Sequence, residues 1–196
     1  MLQALDGSSL DLLAQQMTEA GVESVGVCFL FSFLHPEHEA QAVECFRKAG
    51  FFVSASSEIL PEFREVERAS TTLVNAYVTP ALDRYLTQLE AGLAEFGAGG
   101  SRARMRVMQS NGGSLSLAAA RRFGVHCILS GPAGGVIGSQ RVAQGRPYPP
   151  DVIPFDMGGT STDVSHFAGG PRLTREAVIG GCPVAIPLLD IHTIGA

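Results

Sequence analysis

The sequence predicts an α/β protein in which parallel strands are covered by helices. Helical and strand-like segments alternate over residues 10–54, the order expected for a parallel sheet. Residues 24–31 are almost all apolar, a pattern typical of a strand buried on both faces. A second apolar run ends at Phe155 and leads into a glycine-rich turn between two acidic residues. Together these features predict a sheet protein with a ligand-binding turn.

Four elements are predicted before residue 55. Asp6 can cap the first helix, in which Leu10, Leu13 and Met17 recur at helical spacing. Pro36 is placed for the start of the second helix. The predicted order is a helix over residues 10–20, a strand over 24–31, a helix over 37–48 and a strand over 51–54.

Residues 65–96 have a mostly helical apolar pattern, which we expect to be interrupted at Pro80. Four polar residues share its first turns, and their side chains either face solvent, which spacing alone favours, or point into a cleft. They are Arg68, Thr71, Thr72 and Asn75. The clearest linker follows at Gly97-Ala98-Gly99-Gly100, where we expect a domain or subdomain boundary.

Beyond the linker, residues 105–108 alternate as a strand, 110–113 turn the chain, and 115–123 form a short helix. The apolar pair Ile128-Leu129 is predicted to end a strand that feeds the bend Ser130-Gly131-Pro132-Ala133-Gly134-Gly135 and a helix reaching about Ala143. A strand, a glycine turn and a helix N-terminus together form an anion site. Close packing of the helix on the sheet is the alternative explanation of these glycines.

The segment Phe155-Asp156-Met157-Gly158-Gly159-Thr160-Ser161-Thr162-Asp163-Val164 is predicted to be a strand, a tight turn and a returning strand. The paired glycines permit positive φ and close approach of a ligand to backbone N–H groups. The hydroxyl residues add donors, and the flanking carboxylates can hold Mg²⁺ against phosphate oxygens or orient a water. This combination favours a nucleoside triphosphate as the ligand.

After Asp163 we expect an antiparallel strand over 164–167, a turn at Gly169-Gly170, a strand over 173–178 and an apolar stretch over 184–194. The last stretch holds Asp190 and His192, whose spacing permits a metal site but favours a structural polar contact. His35 and His38 are a second such pair, and we interpret them as surface histidines because no third ligand is nearby.

Composition excludes several classes of function. The net charge is −5, and the densest basic cluster is the trio Arg102, Arg104 and Arg106, so nucleic-acid binding is not expected. The longest apolar run is too short to span a bilayer, and no signal-peptide pattern is visible. The four cysteines form no C-x-x-C pair and are interpreted as free thiols. We therefore expect a cytoplasmic protein without a membrane or nucleic-acid partner.

Five blocks of residues stand out in order along the chain. They are Leu60-Pro-Glu-Phe-Arg-Glu65, the segment from Glu67 to Tyr77, Met108-Gln-Ser-Asn-Gly-Gly113, Ser130-Gly-Pro-Ala-Gly-Gly135 and the hairpin Phe155 to Val164. Together these blocks resemble the hydantoinase A and 5-oxoprolinase family, which also includes ketone carboxylase subunits. The resemblance extends over essentially the whole chain.

The resemblance implies the actin, sugar-kinase and Hsp70-like ATPase fold, in which two ribonuclease-H-like lobes close on a nucleotide. Residues 1–100 would be the C-terminal part of the first lobe with interdomain helices, and 101–196 the beginning of the second lobe with its phosphate-binding hairpin. Family members begin with a related Asp-x-Gly-Gly-Thr hairpin that has no match here, and they continue past residue 196. We therefore expect an internal piece, incomplete at both ends and inactive alone.

The reaction implied by the resemblance is ATP-dependent opening of a cyclic amide such as a hydantoin or 5-oxoproline. Gly158, Gly159 and Thr160 would contact phosphate, with Ser161 and Thr162 as supporting donors. Asp156 and Asp163 would be the catalytic carboxylates and would hold Mg²⁺ through water. Ser130, Gly131, Gly134 and Gly135 are further candidates for cofactor binding.

Two alternatives remain open from the sequence. One is a subunit of an ATP-dependent ketone carboxylase of the acetone type, which would use the same motif residues. The other is a nucleotide-responsive binding module, or an inactive fragment, without turnover. The resemblance also implies a small-molecule substrate, either a cyclic amide or a ketone, and a second subunit or domain of the hydantoinase B type.

Overall fold

The computed structural model of this chain describes residues 4–96, 105–144 and 151–195. The expected boundary at Gly97 to Gly100 lies outside these ranges, as do Arg102 and Arg104. The described helices are α1 (Gly7–Glu19), α2 (Glu37–Lys48), α3 (Ser56–Ile59), α4 (Glu65–Phe96), α5 (Leu117–Arg122) and α6 (Ser130–Gln144), with a 3-10 helix at Gly124–Cys127. No helix within the described ranges combines the length and hydropathy that a membrane crossing requires.

The described strands are short. They are β1 (Ser24–Val27), β2 (Phe52–Ala55), β3 (Arg106–Met108), β4 (Ser114–Ser116), β5 (Asp151–Val152), β6 (Phe155–Met157), β7 (Ser161–Ser165), β8 (Phe167–Ala168), β9 (Leu173–Thr174), β10 (Ala177–Ile179), β11 (Cys182–Val184), β12 (Leu188–Leu189) and β13 (Ile191–Gly195).

Residues 7–55 form the predicted order of helix, strand, helix and strand. β1 and β2 run parallel, with Val25 opposite Val53. Apolar residues of α1, α2 and both strands share one core, in which Ala42 and Phe46 are buried. α2 begins after Pro36, as predicted, and Glu37 and Glu39 in its first turn suit the positive end of the helix dipole.

The strand predicted over residues 24–31 is too long, because β1 ends at Val27. The backbone of Phe29 is instead bound by two buried side chains. Its N–H donates to Oε1 of Glu39 at 2.8 Å, and its carbonyl accepts from Arg68 at 2.8 Å. The chain then turns at Phe31, which lies at φ +60°. Buried charges on helices α2 and α4 therefore replace the hydrogen bonds of a longer strand.

The helix over residues 65–96 is confirmed, but the expected interruption at Pro80 is wrong, since α4 continues through it. Proline removes one backbone hydrogen bond from a helix. Burial of Ala76 before it and Leu86 after it holds both halves of α4 against the rest of the protein.

The polar residues of the first turns of α4 do not face solvent, contrary to the expectation that spacing favoured. Arg68, Thr71, Thr72 and Asn75 are fully buried. Asn75 donates to Ser54 Oγ at 2.8 Å and accepts from the N–H of Val125 at 3.0 Å. Asn75 therefore joins α4 to β2 on one side and to the 3-10 helix on the other.

The predicted strand at Ile128-Leu129 and the bend after it are also wrong. Both residues lie in a turn after the 3-10 helix, and Ser130 to Gly135 form the first turns of α6. Pro132 is tolerated because the first turn of a helix needs no N–H donor at that position. The helix predicted over 115–123 is shorter, since residues 114–116 pair as β4 and Ser116 caps α5 through the N–H of Ala119.

The C-terminal part is a set of antiparallel strands beside α6. β6, β7 and β13 form one sheet in the order β13-β7-β6. The single strand predicted over 173–178 is two strands, β9 and β10, and the stretch 184–194 contains the separate strands β12 and β13. Gly180 and Gly181, at φ +58° and +83°, make the two-residue turn between β10 and β11. Ala133, Val136, Phe167 and Leu189 form the core between α6 and the strands.

Candidate functional site

The predicted hairpin is confirmed. β6 and β7 pair in antiparallel register, with Phe155 opposite Val164 and Asp156 opposite Asp163. The turn between them is held by a hydrogen bond from the N–H of Gly158 to the carbonyl of Ser161 at 2.9 Å. Neither Gly158 nor Gly159 has positive φ, so the expected left-handed backbone is absent at these two residues. A Cβ at Gly159 would meet no atom within 4 Å, so the turn is open to close approach.

Asp156 and Asp163 project from the same face of the sheet because they are paired in register. Directly opposite residues of an antiparallel pair have Cβ atoms about 4.5–5.5 Å apart, and like charges in this position repel. On the next strand, Thr193 pairs with Asp163, and its hydroxyl donates to Oδ1 of Asp163 at 2.7 Å. The three strands thus carry a row of two carboxylates and one hydroxyl.

α6 packs beside this row. A Cβ added to Gly135 would stand 3.6 Å from Oδ2 of Asp156, so glycine gives the carboxylate room beside the helix. Between the helix and the sheet is a cavity of about 180 Å³, which both carboxylates line together with Gly135, Ser139 and Ser165.

A wider groove of about 730 Å³ shares Gly135 and Ser139 with this cavity. It follows α6 to Val142 and is lined on the other side by residues 151–153. Its volume lies in the range of sites for small molecules. The cavity and the groove are therefore adjacent and share two residues of α6.

The candidate residues from the start of α6 are only partly brought to this cavity. Gly135 lines it, whereas Ser130 and Gly131 lie at the N-terminus of the helix. Gly134 faces another direction, because a Cβ there would meet Sδ of Met108 at 3.2 Å. This approach fits the close packing that the sequence offered as an alternative explanation of these glycines.

The remaining candidates lie on the hairpin. Thr160 is exposed in the turn with both glycines, and Ser161 and Thr162 are half-buried at the start of β7. Thr162 points to the face opposite Asp163, because successive residues of a strand alternate. Ser161 shares the face of the carboxylates.

Sequence reasoning missed Ser165, Ser139 and Thr193. Alternation along β7 places Ser165 on the face of Asp163, so its position was readable from the hairpin. Thr193 could not be found in this way, since its contact depends on β13 pairing with β7.

The two pairs considered as metal sites, Asp190 with His192 and His35 with His38, do not line this cavity. Oδ1 of Asp190 is 3.9 Å from Nε2 of His192, and the imidazole is largely exposed. His35 is exposed and His38 half-buried at the start of α2. Among the described residues, no group of three or more His, Cys, Asp or Glu side chains is placed to hold a metal.

Comparison with known protein families identifies the chain. The hydantoinase/oxoprolinase family matches residues 68–196, and the N-terminal region of hydantoinase/oxoprolinase proteins matches residues 1–50. The chain belongs to the hydantoinase/oxoprolinase family. The resemblance inferred from the five sequence blocks is confirmed.

Individual relatives of this family match nearly all of the chain. The 5-oxoprolinase of Saccharomyces cerevisiae is 38% identical over 194 residues, which cover 97% of this chain and 14% of that protein. The caprolactamase subunit alpha of Pseudomonas jessenii is 34% identical, covering 98% of this chain and 27% of that subunit. The chain therefore spans a small part of the length of these relatives.

Two solved structures share the fold of this hydantoinase/oxoprolinase chain. The ATP-dependent caprolactamase from Pseudomonas jessenii superposes with a TM-score of 0.85 at 31% identity, over 100% of this chain and 28% of that one. The nucleotide-free structure of an acetone carboxylase, described as ATP-dependent, superposes with a TM-score of 0.83 at 26% identity, with the same coverage. The predicted α/β fold class is confirmed by both.

Proposed function

We propose that this chain is part of an ATP-dependent cyclic amidohydrolase, which opens a hydantoin, 5-oxoproline or similar ring and hydrolyses ATP. The observation that carries the proposal is the pair Asp156 and Asp163, which face one cavity beside an open glycine turn. Relatives described as 5-oxoprolinase and caprolactamase act on cyclic amides by name, and this supports the choice of substrate class.

In this proposal the hairpin binds the phosphates of ATP. Gly158, Gly159 and Thr160 contact them, through backbone and hydroxyl groups, and Ser161 and Thr162 are supporting donors. The N–H of Gly158 already bonds to Ser161, so the N–H groups of Gly159 and Thr160 are the better donors. Ser130, Gly131, Gly134 and Gly135 belong to the same proposal as cofactor-binding candidates, and Gly135 has the strongest support because it lines the cavity.

The carboxylates fit a magnesium ion by donor chemistry. Mg²⁺ prefers oxygen ligands and keeps several of its waters, and Asp156 and Asp163 offer oxygen atoms on one face of the sheet. They would hold the ion through water, and the ion would neutralise charge on the phosphates. The hydroxyl of Thr193 keeps one oxygen of Asp163 in a fixed direction, so that carboxylate can also orient an attacking group.

The proposed chemistry uses ATP to activate an amide. Transfer of the terminal phosphoryl group to the amide oxygen releases ADP and makes the carbonyl carbon electrophilic. Water then adds to that carbon, and the ring C–N bond breaks with protonation of the nitrogen, which leaves an acyl phosphate. A second water hydrolyses this acyl phosphate to the carboxylate and releases phosphate. The products are an opened amino acid chain, ADP and phosphate.

The partners and organisation follow from the same proposal. One relative is named a subunit alpha, which supports a second subunit or domain of the hydantoinase B type. The division into a first lobe over 1–100 and a second lobe over 101–196 is also part of it. A cytoplasmic location is supported by the four cysteines, all of which are free thiols.

A ketone carboxylase subunit is the second candidate function. The specific observation in its favour is the TM-score of 0.83 with an acetone carboxylase. In that case ATP would activate bicarbonate or the ketone, and the same hairpin would bind the phosphates.

A direct test measures ATP binding by calorimetry and phosphate release with 5-oxoproline, hydantoin, caprolactam, or acetone plus bicarbonate. The proteins are this chain alone and the caprolactamase subunit alpha carrying residues 1–196 in place of its matching segment, each with and without Asp156→Asn. We expect turnover with a cyclic amide only in the longer protein, and its loss in Asp156→Asn. Turnover with acetone plus bicarbonate, but with none of the cyclic amides, would favour the second candidate. Unchanged turnover in Asp156→Asn would remove that carboxylate from the mechanism.

A further inference from the structure

Ser165 carries an unpaired hydroxyl inside the protein. The residue is 6% exposed, and its Oγ has no hydrogen-bond partner among the described residues. Its backbone N–H, by contrast, donates to the carbonyl of Pro154 at 3.3 Å. A buried hydroxyl without a partner is unfavourable, so such a group calls for a ligand or a water.

The hydroxyl faces the cavity that holds the two carboxylates. Ser165 is two residues after Asp163 on β7, so both side chains leave the same face of the strand. Both residues line the cavity of about 180 Å³, with Asp156 beside them and Pro132 and Val136 of α6 opposite. Ser165 therefore lies on the deeper, buried side of the site.

The charges around this cavity favour a cation as the ligand. Asp156 and Asp163 oppose each other directly, and neither belongs to an ion pair among the described residues. The cavity is lined by no Lys, Arg or His side chain of those ranges. Two like charges without a basic partner repel an anion and attract a cation. A hydroxyl that still needs a partner suits the water shell of such a cation.

We propose that Ser165 completes a divalent-cation site with Asp156 and Asp163, by hydrogen bonding to a water of the hydrated ion. The proposal rests on the proposed function for the two carboxylates and adds Ser165 to them as a residue that holds the water shell of the ion. Ser165 is here a positioning residue, since it acts through the water and not on the metal itself.

The test uses MnCl₂ alone as a paramagnetic probe of the 196-residue chain, without nucleotide. Manganese broadens the NMR signals of nearby backbone amides, and the concentration that halves the signals of Asp156, Asp163 and Ser165 measures affinity. The variants are Ser165→Ala, Ser165→Thr, which keeps a hydroxyl, and Asp156→Asn, which removes one carboxylate. Ser54→Ala is the matched control, because Ser54 is a buried strand serine whose hydroxyl accepts from Asn75, away from the cavity.

We expect selective broadening at the hairpin in the wild type. In Ser165→Ala the half-broadening concentration should be about tenfold higher, the size typical of losing a side chain that hydrogen-bonds to a ligand of the metal. Ser165→Thr and Ser54→Ala should stay close to the wild type. If Ser165→Ala does not fold, Ser165→Cys replaces it in the titration. Because its thiol is a weak donor, the half-broadening concentration should again be higher than in the wild type.

Two outcomes would overturn the proposal: no selective broadening in the wild type, or equal affinity in Ser165→Ala, which would assign the hydroxyl to a structural water only. ATP binding, measured separately by calorimetry on the longer protein, distinguishes the two proposals. Manganese binding that depends on Ser165, without ATP binding, would leave the cation site standing and remove the proposed function. ATP binding by the longer protein, together with manganese binding that does not depend on Ser165, would leave the proposed function standing and remove the role of Ser165.

Discussion

The hydroxyl of Thr193 donates to Oδ1 of Asp163 at 2.7 Å across the β7–β13 pair. The contact joins the candidate catalytic hairpin to a strand 30 residues further along the chain. It occupies one oxygen of the carboxylate and leaves the other available to the cavity. The arrangement therefore fixes the direction in which Asp163 can hold a ligand.

Replacing Thr193 with valine should weaken cation binding while leaving the fold intact. Valine keeps the shape of threonine but cannot hold the carboxylate, so Asp163 gains rotational freedom. Because this hydrogen bond is exposed, the free energy of unfolding should change by less than about 0.5 kcal/mol. The MnCl₂ titration measures affinity and urea unfolding measures stability. Thr193→Ser, which keeps the hydroxyl, is the control and should bind as the wild type does; equal binding by the valine variant would contradict the orienting role.

The buried polar groups of α4 lead to a second prediction. Asn75→Ala leaves three groups without their partner: the hydroxyl of Ser54, the carbonyl of Arg122 and the N–H of Val125. Each buried unsatisfied group costs about 1–3 kcal/mol. We expect the free energy of unfolding, measured in urea, to fall by about 3 kcal/mol or more.

The control for Asn75 is on the same helix. Gln88→Ala changes an exposed amide of α4 and should alter the free energy of unfolding by less than about 0.5 kcal/mol. An Asn75→Ala variant as stable as Gln88→Ala would show that solvent replaces the lost contacts, and that Asn75 does not hold α4 to β2 and the 3-10 helix.

The pairing of Asp156 with Asp163 was predictable, because apolar runs on either side of a glycine turn require a hairpin. The burial of Arg68 and Asn75 was not. Both sit at positions of an amphipathic helix that spacing assigns to solvent, and their partners lie 39 and 50 residues away. Spacing along a helix reports its apolar face, but it cannot report a polar side chain that satisfies distant backbone groups.

The elements that were predicted wrongly have the same cause, namely contacts with distant parts of the chain. Residues 28–31 continue the strand pattern, yet Glu39 and Arg68 bind the backbone of Phe29 and turn the chain. Residues 130–135 have the composition of a bend, yet Ala133 N–H bonds to the carbonyl of Leu129 as in a helix. In each case tertiary contacts outweigh a local preference that is small per residue.

Gly112 is predicted to be the least replaceable glycine of the turn between β3 and β4. It lies at φ +85°, and a Cβ there would stand 2.7 Å from Cδ1 of Ile137. Gly112→Ala therefore combines backbone strain with a clash against α6, and we expect a loss of about 2 kcal/mol or more in urea unfolding. Gly138→Ala is the contrasting change: its Cβ meets nothing within 4 Å, and alanine in a helix is favoured by about 0.5–1 kcal/mol. Equal stabilities of the two variants would contradict the described packing of the turn on α6.

The buried carboxylate of Glu39 should make folding dependent on pH. Burial by itself raises the pKa of Glu39, but the hydrogen bonds from Ser56, Ser57 and Phe29 together outweigh it, so the pKa lies below its ordinary value of 4.5. The folded state therefore binds a proton at Glu39 less readily than the unfolded state does. The resulting stabilisation is complete above the ordinary pKa and is lost as the pH falls through the lower folded pKa.

Glu39→Gln isolates this contribution. The two carboxylate oxygens together accept three hydrogen bonds, from Phe29, Ser56 and Ser57. In glutamine an NH₂ group replaces one of these oxygens, and because NH₂ is itself a donor it cannot accept the hydrogen bond made there. We expect the variant to be less stable than the wild type at pH 7, and the difference between them to shrink below about pH 4.5, because only the wild type loses the ionised carboxylate there. Urea unfolding of both proteins across pH 3 to 7 measures the difference, in which the other carboxylates cancel. A difference that stays constant over the whole range would show that Glu39 titrates alike in the folded and unfolded chains.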